Sequence, residues 1–589
     1  MKQQIEQSPN LNILWAGLIV EELIRNSIDH FIVSPGFRSA PLAIAISQHP
    51  RAQVQFVVDE RAAAFVALGY ARSAGKPAVL VCTSGSAPTH YFPAVVEASQ
   101  SHLPMILLTA DRPPELLDCG ASQAIQQNEL YGSYVNWYKG FPWPSAEIPP
   151  QWILKTIDQA LQAAYLNSHR LPGPVHLNLP FREPLAPQSR PYPADYLKPV
   201  SKWLQSDQVW FRYAPTQLQT DLSALEAFLH QAGSQGLLVI GQLTSADQAA
   251  VLSLANSLQW PVMADILSGL KLNAELQHQL SGYDQLFLLP EFEAALQHRA
   301  VLHIGGNVVS GRLLKWLEKL PESDYAQIRS SDQSQDPFHH DGLCVSGSIA
   351  SICSELEQSL VLKVRPTISK AEHYSQLTQE LFQTVFQSSD VLSEPLVGHL
   401  IAALAPPEQF ILLGNSMSVR EMDAYACPRS GPPEVWGIRP TSGIEGHVAT
   451  AVGLALGRKQ PVTLVCGDLT LFHDLNSLYL AAQSEFPVTI IVINNQGGGI
   501  FQFLPLGQTP ELLDPWFSTP QSIDFAKAAD LFALNYYQPT NLETLTTALK
   551  QAWHSNRSSL IEIQIAQADT LQCHRALQAQ MRQQIESFS

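Results

Sequence analysis

Charge is scarce in this 589-residue chain: charged residues make up 15%, and 35 Lys and Arg face 52 Asp and Glu. The formal charge of −17 argues against nucleic-acid binding, which draws on a basic surface. It leaves room for small anionic substrates, because a few well-placed Arg side chains reverse the local field in a cleft. Long apolar runs are missing as well. The longest, such as Pro487 to Ile493, are strand-sized, far short of the roughly eighteen residues that cross a bilayer. No membrane partner is expected. The first residues, Met1-Lys2-Gln3-Gln4, lack the apolar core of a signal peptide and the Arg- and Ser-rich character of an import presequence. Cysteine is sparse: seven, at 82, 119, 344, 353, 427, 466 and 573, with no C-x-x-C. An odd, scattered set points to neither a zinc site nor a disulfide framework. A reducing, cytoplasmic location is the expectation.

What is present is a globular composition, 46% apolar, in a chain too long for one core; roughly three or four domains are expected. The first third alternates apolar strands (His30–Ser34, Val54–Val58, Ala78–Thr83, Met105–Thr109) with amphipathic helices. A second such run follows, with strands at Leu237–Ile240, Pro261–Ala264 and Ala300–Ile304. A third has strands at Phe410–Leu413, Val462–Cys466, Val488–Ile493 and Leu560–Ile565. Strands apolar throughout and alternating with helices predict an α/β fold, with parallel sheets covered on both faces. The Pro-rich stretch 182–199 reads as a linker, and the segments 330–340 and 362–375 as further boundaries. The expected division is 1–188, 189–370 and 371–589. No short tandem repeat is found.

In the last third, one strand ends in Gly467-Asp468 and another in Asn494-Asn495-Gln496-Gly497. Both sequences lie at C-terminal ends of predicted parallel strands, where α/β sheets bind ligands. A carboxylate from Asp468, an amide oxygen from Asn495 and the backbone carbonyl of Gly497 suit Mg²⁺, which also takes phosphate oxygens. The helix after Asp468 offers N–H groups to a diphosphate. Alternatively, Gly-Asp is an ordinary turn and cap. In the first third, Asp59-Glu60-Arg61 closes a strand and opens a helix; the plain account is that both acids cap that helix.

Taken together, these motifs resemble the thiamine-diphosphate enzymes. Further segments narrow the likeness to the menaquinone- and phylloquinone-pathway synthases of that family. They are Ser34-Pro-Gly-Phe-Arg-Ser39, Thr83-Ser-Gly85, Leu108-Thr-Ala-Asp-Arg-Pro-Pro-Glu-Leu-Leu-Asp-Cys-Gly-Ala-Ser-Gln123, Gly414-Asn-Ser416, Ser442-Gly-Ile-Glu-Gly446, Gly467-Asp-Leu469 and Asn494 to Phe501. The resemblance implies pyrimidine-binding, central and diphosphate-binding domains, and a homodimer or homotetramer with active sites at the subunit interface. It implies thiamine diphosphate with Mg²⁺, or Mn²⁺ in its place. Glu60 would bond N1′ of the aminopyrimidine and drive its imino tautomer; an apolar setting that raises its pKa would suit that role. Ser84, Gly85, Ser416, Gly467 and Leu469 would contact the cofactor, and Ile444 would prop it into its bent shape. The reaction implied is decarboxylation of 2-oxoglutarate and Stetter-like 1,4-addition of the carbanion to isochorismate, with CO₂ released.

Both substrates carry two carboxylates, so the site needs arginines, whose planar fork binds carboxylate bidentately. By resemblance Arg420 and Arg439 would hold 2-oxoglutarate. Arg38, Arg112 and Gln123 would hold isochorismate. Arg312 and Phe501 would line the substrate site. Three positions depart from the family pattern: Phe37 replaces a Ser, Pro440 enters the loop before Ile444, and Gly311 stands where a Lys often precedes Arg312. The central region has no dinucleotide fingerprint, so no FAD is expected. Two alternatives stay open: a decarboxylase or carboligase of the acetolactate-synthase type, and a non-catalytic binding subunit of the same fold.

Overall fold

The computed structural model describes residues 2–166, 171–213, 220–296, 300–321, 324–331, 337–339, 342–359 and 369–588. They fall into two compact units. The first comprises Met1–Gln217, Ile438–Lys459 and Asp474–Phe486; the second comprises Leu218–Gly437, Gln460–His473 and Pro487–Ser589.

The first unit holds a parallel sheet of β1 (His30–Val33), β2 (Gln53–Phe56), β3 (Val79–Cys82), β4 (Met105–Asp111), β5 (Trp137–Gly140) and β6 (Pro174–Pro180), in the order β2-β1-β3-β4-β6-β5. β3, β4 and β6 are buried along their whole length, as the apolar runs predict for a sheet covered on both faces. β2 differs. It is the sheet edge, and Val54 and Phe56 point outward instead of into a core. The Pro-rich stretch is no free linker. Its carbonyls, left without helix or ladder partners, are taken by side chains at the head of helix Leu11–Arg25. Asn10 Nδ2 donates to Ala186 (3.1 Å) and Gln188 (2.9 Å), and Asn12 Nδ2 to Arg182 (2.6 Å) and Pro184 (2.8 Å). Trp15 Nε1 donates to Tyr196 Oη at 2.9 Å, and Trp203 Nε1 to Glu22 at 2.6 Å.

The second unit holds two parallel sheets. One contains β7 (Gly236–Ile240), β8 (Val262–Ala264), β9 (Ala300–Ile304), β10 (Tyr325–Arg329) and β11 (Leu343–Ser346), in the order β11-β10-β9-β7-β8. Ala326 pairs with Leu343. The stretch 330–340 therefore joins neighbouring strands of one sheet and is not a domain boundary; within it, 332–336 and 340 lie outside the described residues. Of 362–375, the part up to 368 also lies outside them, and helix Lys370–Gln387 follows, capped at its N-terminus by a capping box of Ser369 and Glu372. The other sheet contains β12 (Phe410–Leu413), β13 (Glu434–Gly437), β14 (Val462–Gly467), β15 (Val488–Asn494), β16 (Asn535–Tyr537) and β17 (Ser559–Gln564), in the order β13-β12-β14-β15-β17-β16. In chain order this repeats the topology of the first sheet. In each, the chain winds first toward one edge and then back toward the other, a reversal that falls between β1 and β3 and between β12 and β14, and such a reversal opens a crevice at the C-terminal strand ends.

Candidate active site

In the first unit, Glu60 opens helix Glu60–Ala74. Asp59 does the capping, accepting from the amides of Arg61 (2.9 Å) and Ala62 (3.3 Å). Glu60 is thus relieved of the structural duty that its position suggested. Its side chain is half-buried, so the apolar enclosure expected around it is incomplete within the chain. Its charge adds to burial in pushing up the thiol of Cys82, the last residue of β3, and the Tyr91 hydroxyl.

That helix lies alongside helix His447–Arg458 with almost no side-chain layer between them. A Cβ on Gly69 would sit 2.1 Å from the Thr450 carbonyl, and one on Gly453 2.0 Å from that of Val66. Gly457 approaches Ser73 in the same way. From Gly446 against Phe65 at one end to Gly457 against Ser73 and Ala74 at the other, the contact advances along both chains, so the helices are parallel. Glu60 and the Ser442–Gly446 turn with Ile444 therefore share one end. Arg439 opens that turn: its carbonyl accepts from the amide (3.1 Å) and hydroxyl (2.9 Å) of Ser442. Pro440 fits inside as an exposed corner whose fixed φ a turn accommodates, and Thr441 is pinned through its amide to Glu97 at 3.1 Å.

At the reversal of the first sheet, the loops after β1, β3 and β4 converge. Arg38 is buried and donates through Nη1 to the Phe181 carbonyl at 2.8 Å. Burial first, then the charge of nearby Arg112, lowers its pKa. Arg112 Nη2 lies 3.5 Å from Gln123 Oε1, and the Gly85 backbone lies against Gln123. The Nε atoms of Arg38 and Arg112 and the hydroxyls of Ser34 and Ser84 are buried without a partner among the described residues. Two like charges with unspent donors form a cradle that favours an anion. Phe37 stands outside it, 65% exposed at the loop tip.

The second unit carries the opposite chemistry. Asp468 is buried after β14; Oδ1 accepts from the Leu469 amide (2.9 Å) and Oδ2 from that of Gly497 (2.8 Å). Burial pushes its carboxyl up to about 6 despite these bonds, and no cation pairs with it among the described residues. Gly497, at φ +124°, admits no side chain, since a Cβ would meet the Ser518 carbonyl at 1.9 Å. Asn495 Nδ2 is held by Glu394 at 2.8 Å, which leaves Oδ1 as its open atom. A buried acid without a counter-charge, a free amide oxygen and an adjacent glycine carbonyl fit a hard divalent cation. A Cβ on Gly467 would meet open space, so the approach along β14 is clear.

Across the reversal, Ser416 takes the strained φ of +66° at the head of helix Met417–Tyr425, and its carbonyl accepts from Arg420. Burial lowers the pKa of Arg420, while Asp284 opposes the shift. Asp284 also pairs with Arg312 and accepts from Ser310 Oγ at 2.6 Å. Arg312 is therefore paired with Asp284, whose charge Arg420 also feels. A side chain on Gly311 would meet open space. Phe501 packs on Phe517, ring centroids 5.4 Å apart. Glu394 and Gln567, both bonded to Asn495, escaped sequence reasoning: each is distant in the chain, and Ser-Glu-Pro reads as a helix start.

Three parallel sheets, the first and third with crevices at matching reversals of strand order and one with a cation-ready acid loop, define a thiamine-diphosphate enzyme. Family models agree. A "Thiamine pyrophosphate enzyme, N-terminal TPP binding domain" matches residues 15–130, a "Middle domain of thiamine pyrophosphate" residues 194–413, and a "Thiamine pyrophosphate enzyme, C-terminal TPP binding domain" residues 422–563. The chain is similar to the 2-succinyl-5-enolpyruvyl-6-hydroxy-3-cyclohexene-1-carboxylate synthases of Salinibacter ruber (39% identical, covering 98% of each chain) and Chlorobium phaeovibrioides (37%, 98% of each). It is also similar to that of Rubrobacter xylanophilus (38%, 97% of this chain and 98% of the relative). It belongs to this synthase family, as its motifs led one to expect. The acetolactate-synthase reading is not favoured.

Proposed function

We propose that the chain makes 2-succinyl-5-enolpyruvyl-6-hydroxy-3-cyclohexene-1-carboxylate from 2-oxoglutarate and isochorismate, releasing CO₂, in menaquinone or phylloquinone synthesis. The observation that carries this is near-full-length likeness to synthases of that name, in a chain that retains Glu60, Asp468, Asn495 and the arginine cradle. Thiamine diphosphate, when bound, supplies the carbon nucleophile and electron sink that let a 2-oxo acid lose CO₂. Asp468, Asn495 Oδ1 and the Gly497 carbonyl would hold Mg²⁺, or Mn²⁺ in its place. Gly467, Leu469, Ser416, Ser84 and Gly85 would line the cofactor, with Ile444 beneath it. Glu60, free of capping, holds and returns the proton at N1′ of the aminopyrimidine. Arg420 and Arg439 bind the carboxylates of 2-oxoglutarate. Arg38, Arg112 and Gln123 orient isochorismate, and Arg312 and Phe501 border the pocket.

The working unit is a homodimer or homotetramer with active sites at the subunit interface. In support, Val54 and Phe56 on the edge strand β2 and Val58 just after it, all shortly before Glu60, are 37%, 71% and 80% exposed, a surface that calls for cover. We place the domains at 1–188, 189–370 and 371–589. The location is cytoplasmic, which the free state of all seven cysteines suits; among the described residues no helix is long and apolar enough to cross a membrane. The test is product formation with thiamine diphosphate, Mg²⁺, 2-oxoglutarate and isochorismate, against a control lacking isochorismate. Product dependent on both substrates is expected. Turnover of pyruvate alone would overturn the assignment.

A further inference from the structure

An amide side chain has one donor end and one acceptor end, and a cation accepts only the oxygen. Which end Asn495 presents is decided by what holds the other. Glu394, buried at the head of helix Glu394–Leu404, accepts from Asn495 Nδ2 at 2.8 Å and so turns Oδ1 outward. The backbone of the same residue is tethered from elsewhere: Gln567 Nε2 donates to the Asn495 carbonyl at 2.9 Å. Gln567 opens the last helix, Gln567–Phe588, beyond the residues that the C-terminal family model matches. The two elements also touch: the Glu394 amide approaches Thr570 Oγ1 at 3.5 Å, and Ser393 Oγ donates to Cys573 Sγ at 3.3 Å. Side chain and main chain of one residue are thus fixed by two helices that themselves offer the cation no atom.

We propose that Glu394 and Gln567 are positioning residues for the cation ligand Asn495, and that the last helix is therefore part of the cofactor site. The inference rests on the reading of Asp468, Asn495 and Gly497 as the cation site. Partners behind a ligand typically change metal affinity about 10–100-fold when removed.

The test is the Mg²⁺ concentration that half-saturates thiamine-diphosphate binding, followed by tryptophan fluorescence of the full chain without substrates. Glu394→Ala raises that concentration by about 10–100-fold. Glu394→Gln, whose Oε1 still accepts, stays near the unaltered protein. Gln567→Ala gives a smaller rise in the same direction. Turnover of all three recovers at saturating Mg²⁺, because none touches substrate. An unchanged Mg²⁺ requirement in Glu394→Ala overturns the proposal. So does Glu394→Gln as impaired as Glu394→Ala, which would make the charge, not the acceptor, the cause. If Glu394→Ala does not fold, Gln567→Ala decides alone. Asn495→Ala separates the two levels: if it leaves Mg²⁺ binding intact, the cation site itself is misread; if it weakens binding while Glu394→Ala does not, only the positioning role fails.

Discussion

Set side by side, the first and third sheets have the same strand order and opposite chemistry at their C-terminal ends. The first gathers Arg38, buried, and Arg112, half-buried, both with an unspent buried Nε donor. The third gathers Asp468, a buried acid without a counter-charge among the described residues, beside amide and carbonyl oxygens. One topology thus carries an anion cradle and a cation cradle, because function lies in the loops at the strand ends and not in the sheet. A chain that keeps both has the ingredients for a phosphate-bearing, metal-bound cofactor and for dicarboxylate substrates.

The sharpest break should come at Glu60. Glu60→Gln retains cofactor binding, measured by fluorescence titration, and loses about 10²–10⁴-fold in turnover, the usual worth of a positioned proton carrier. An undiminished rate removes Glu60 from the relay. On the third sheet, Asp468→Asn removes the charge from the cation cradle. The Mg²⁺ requirement should rise by about two orders of magnitude, of the size seen for losses around a metal, with the fold intact by circular dichroism. On the first sheet, Arg112→Gln should raise the isochorismate KM about tenfold, equivalent to one charge-assisted bond of roughly 1.5 kcal/mol, and leave the 2-oxoglutarate KM unchanged. A rise in both would mean that the two cradles do not divide the substrates.

The smallest effect concerns acid. Burial holds His30 neutral down to about 4 and His176 down to about 3, against an ordinary 6.5; the strands of the third sheet carry no histidine. Both groups bind a proton more readily unfolded than folded. Their contribution is fully present above about pH 6.5 and is lost as pH falls toward their folded values. Between pH 6.5 and 5.5 the loss is about 1 kcal/mol for each. Hydrogen exchange should show amides of β1 and β6 losing protection on that change while those of β14 and β15 hold theirs. His30→Phe, which can still stack on Tyr70 as His30 does at 4.3 Å, should halve the effect.

The same contrast marks what could be read from sequence. The interior strands β1, β3, β4, β12, β14 and β15 are apolar runs, and their position was legible from that pattern. The edge strands β5, β11 and β16 went unread, because they bury little and carry residues such as Asn535, Tyr536 and Tyr537; β13, also an edge, buries Val435 and Trp436 but is only four residues long. Two interior strands also went unread. β6 is interrupted by His176 and Asn178, and β10 by Gln327 and Arg329, all buried polar residues whose partners (Thr109 for His176, Tyr325 for Gln327) the sequence does not display. At the candidate cation site, the grouping of Asp468, Asn495 and Gly497 was legible because all three stand at or just beyond strand ends. Glu394 was not: its meaning comes from Asn495, about a hundred residues away, and no local pattern connects them.

The glycine-lined contact between the helix headed by Glu60 and the helix that follows Ile444 has a consequence for motion. Rotamer hopping, the fastest source of slack in a protein interior, has nothing to act on where backbone meets backbone. Thermal agitation must then move both helices as one body. The helix start at Glu60 and the start at His447, just after the Ser442–Gly446 turn, are then carried along together.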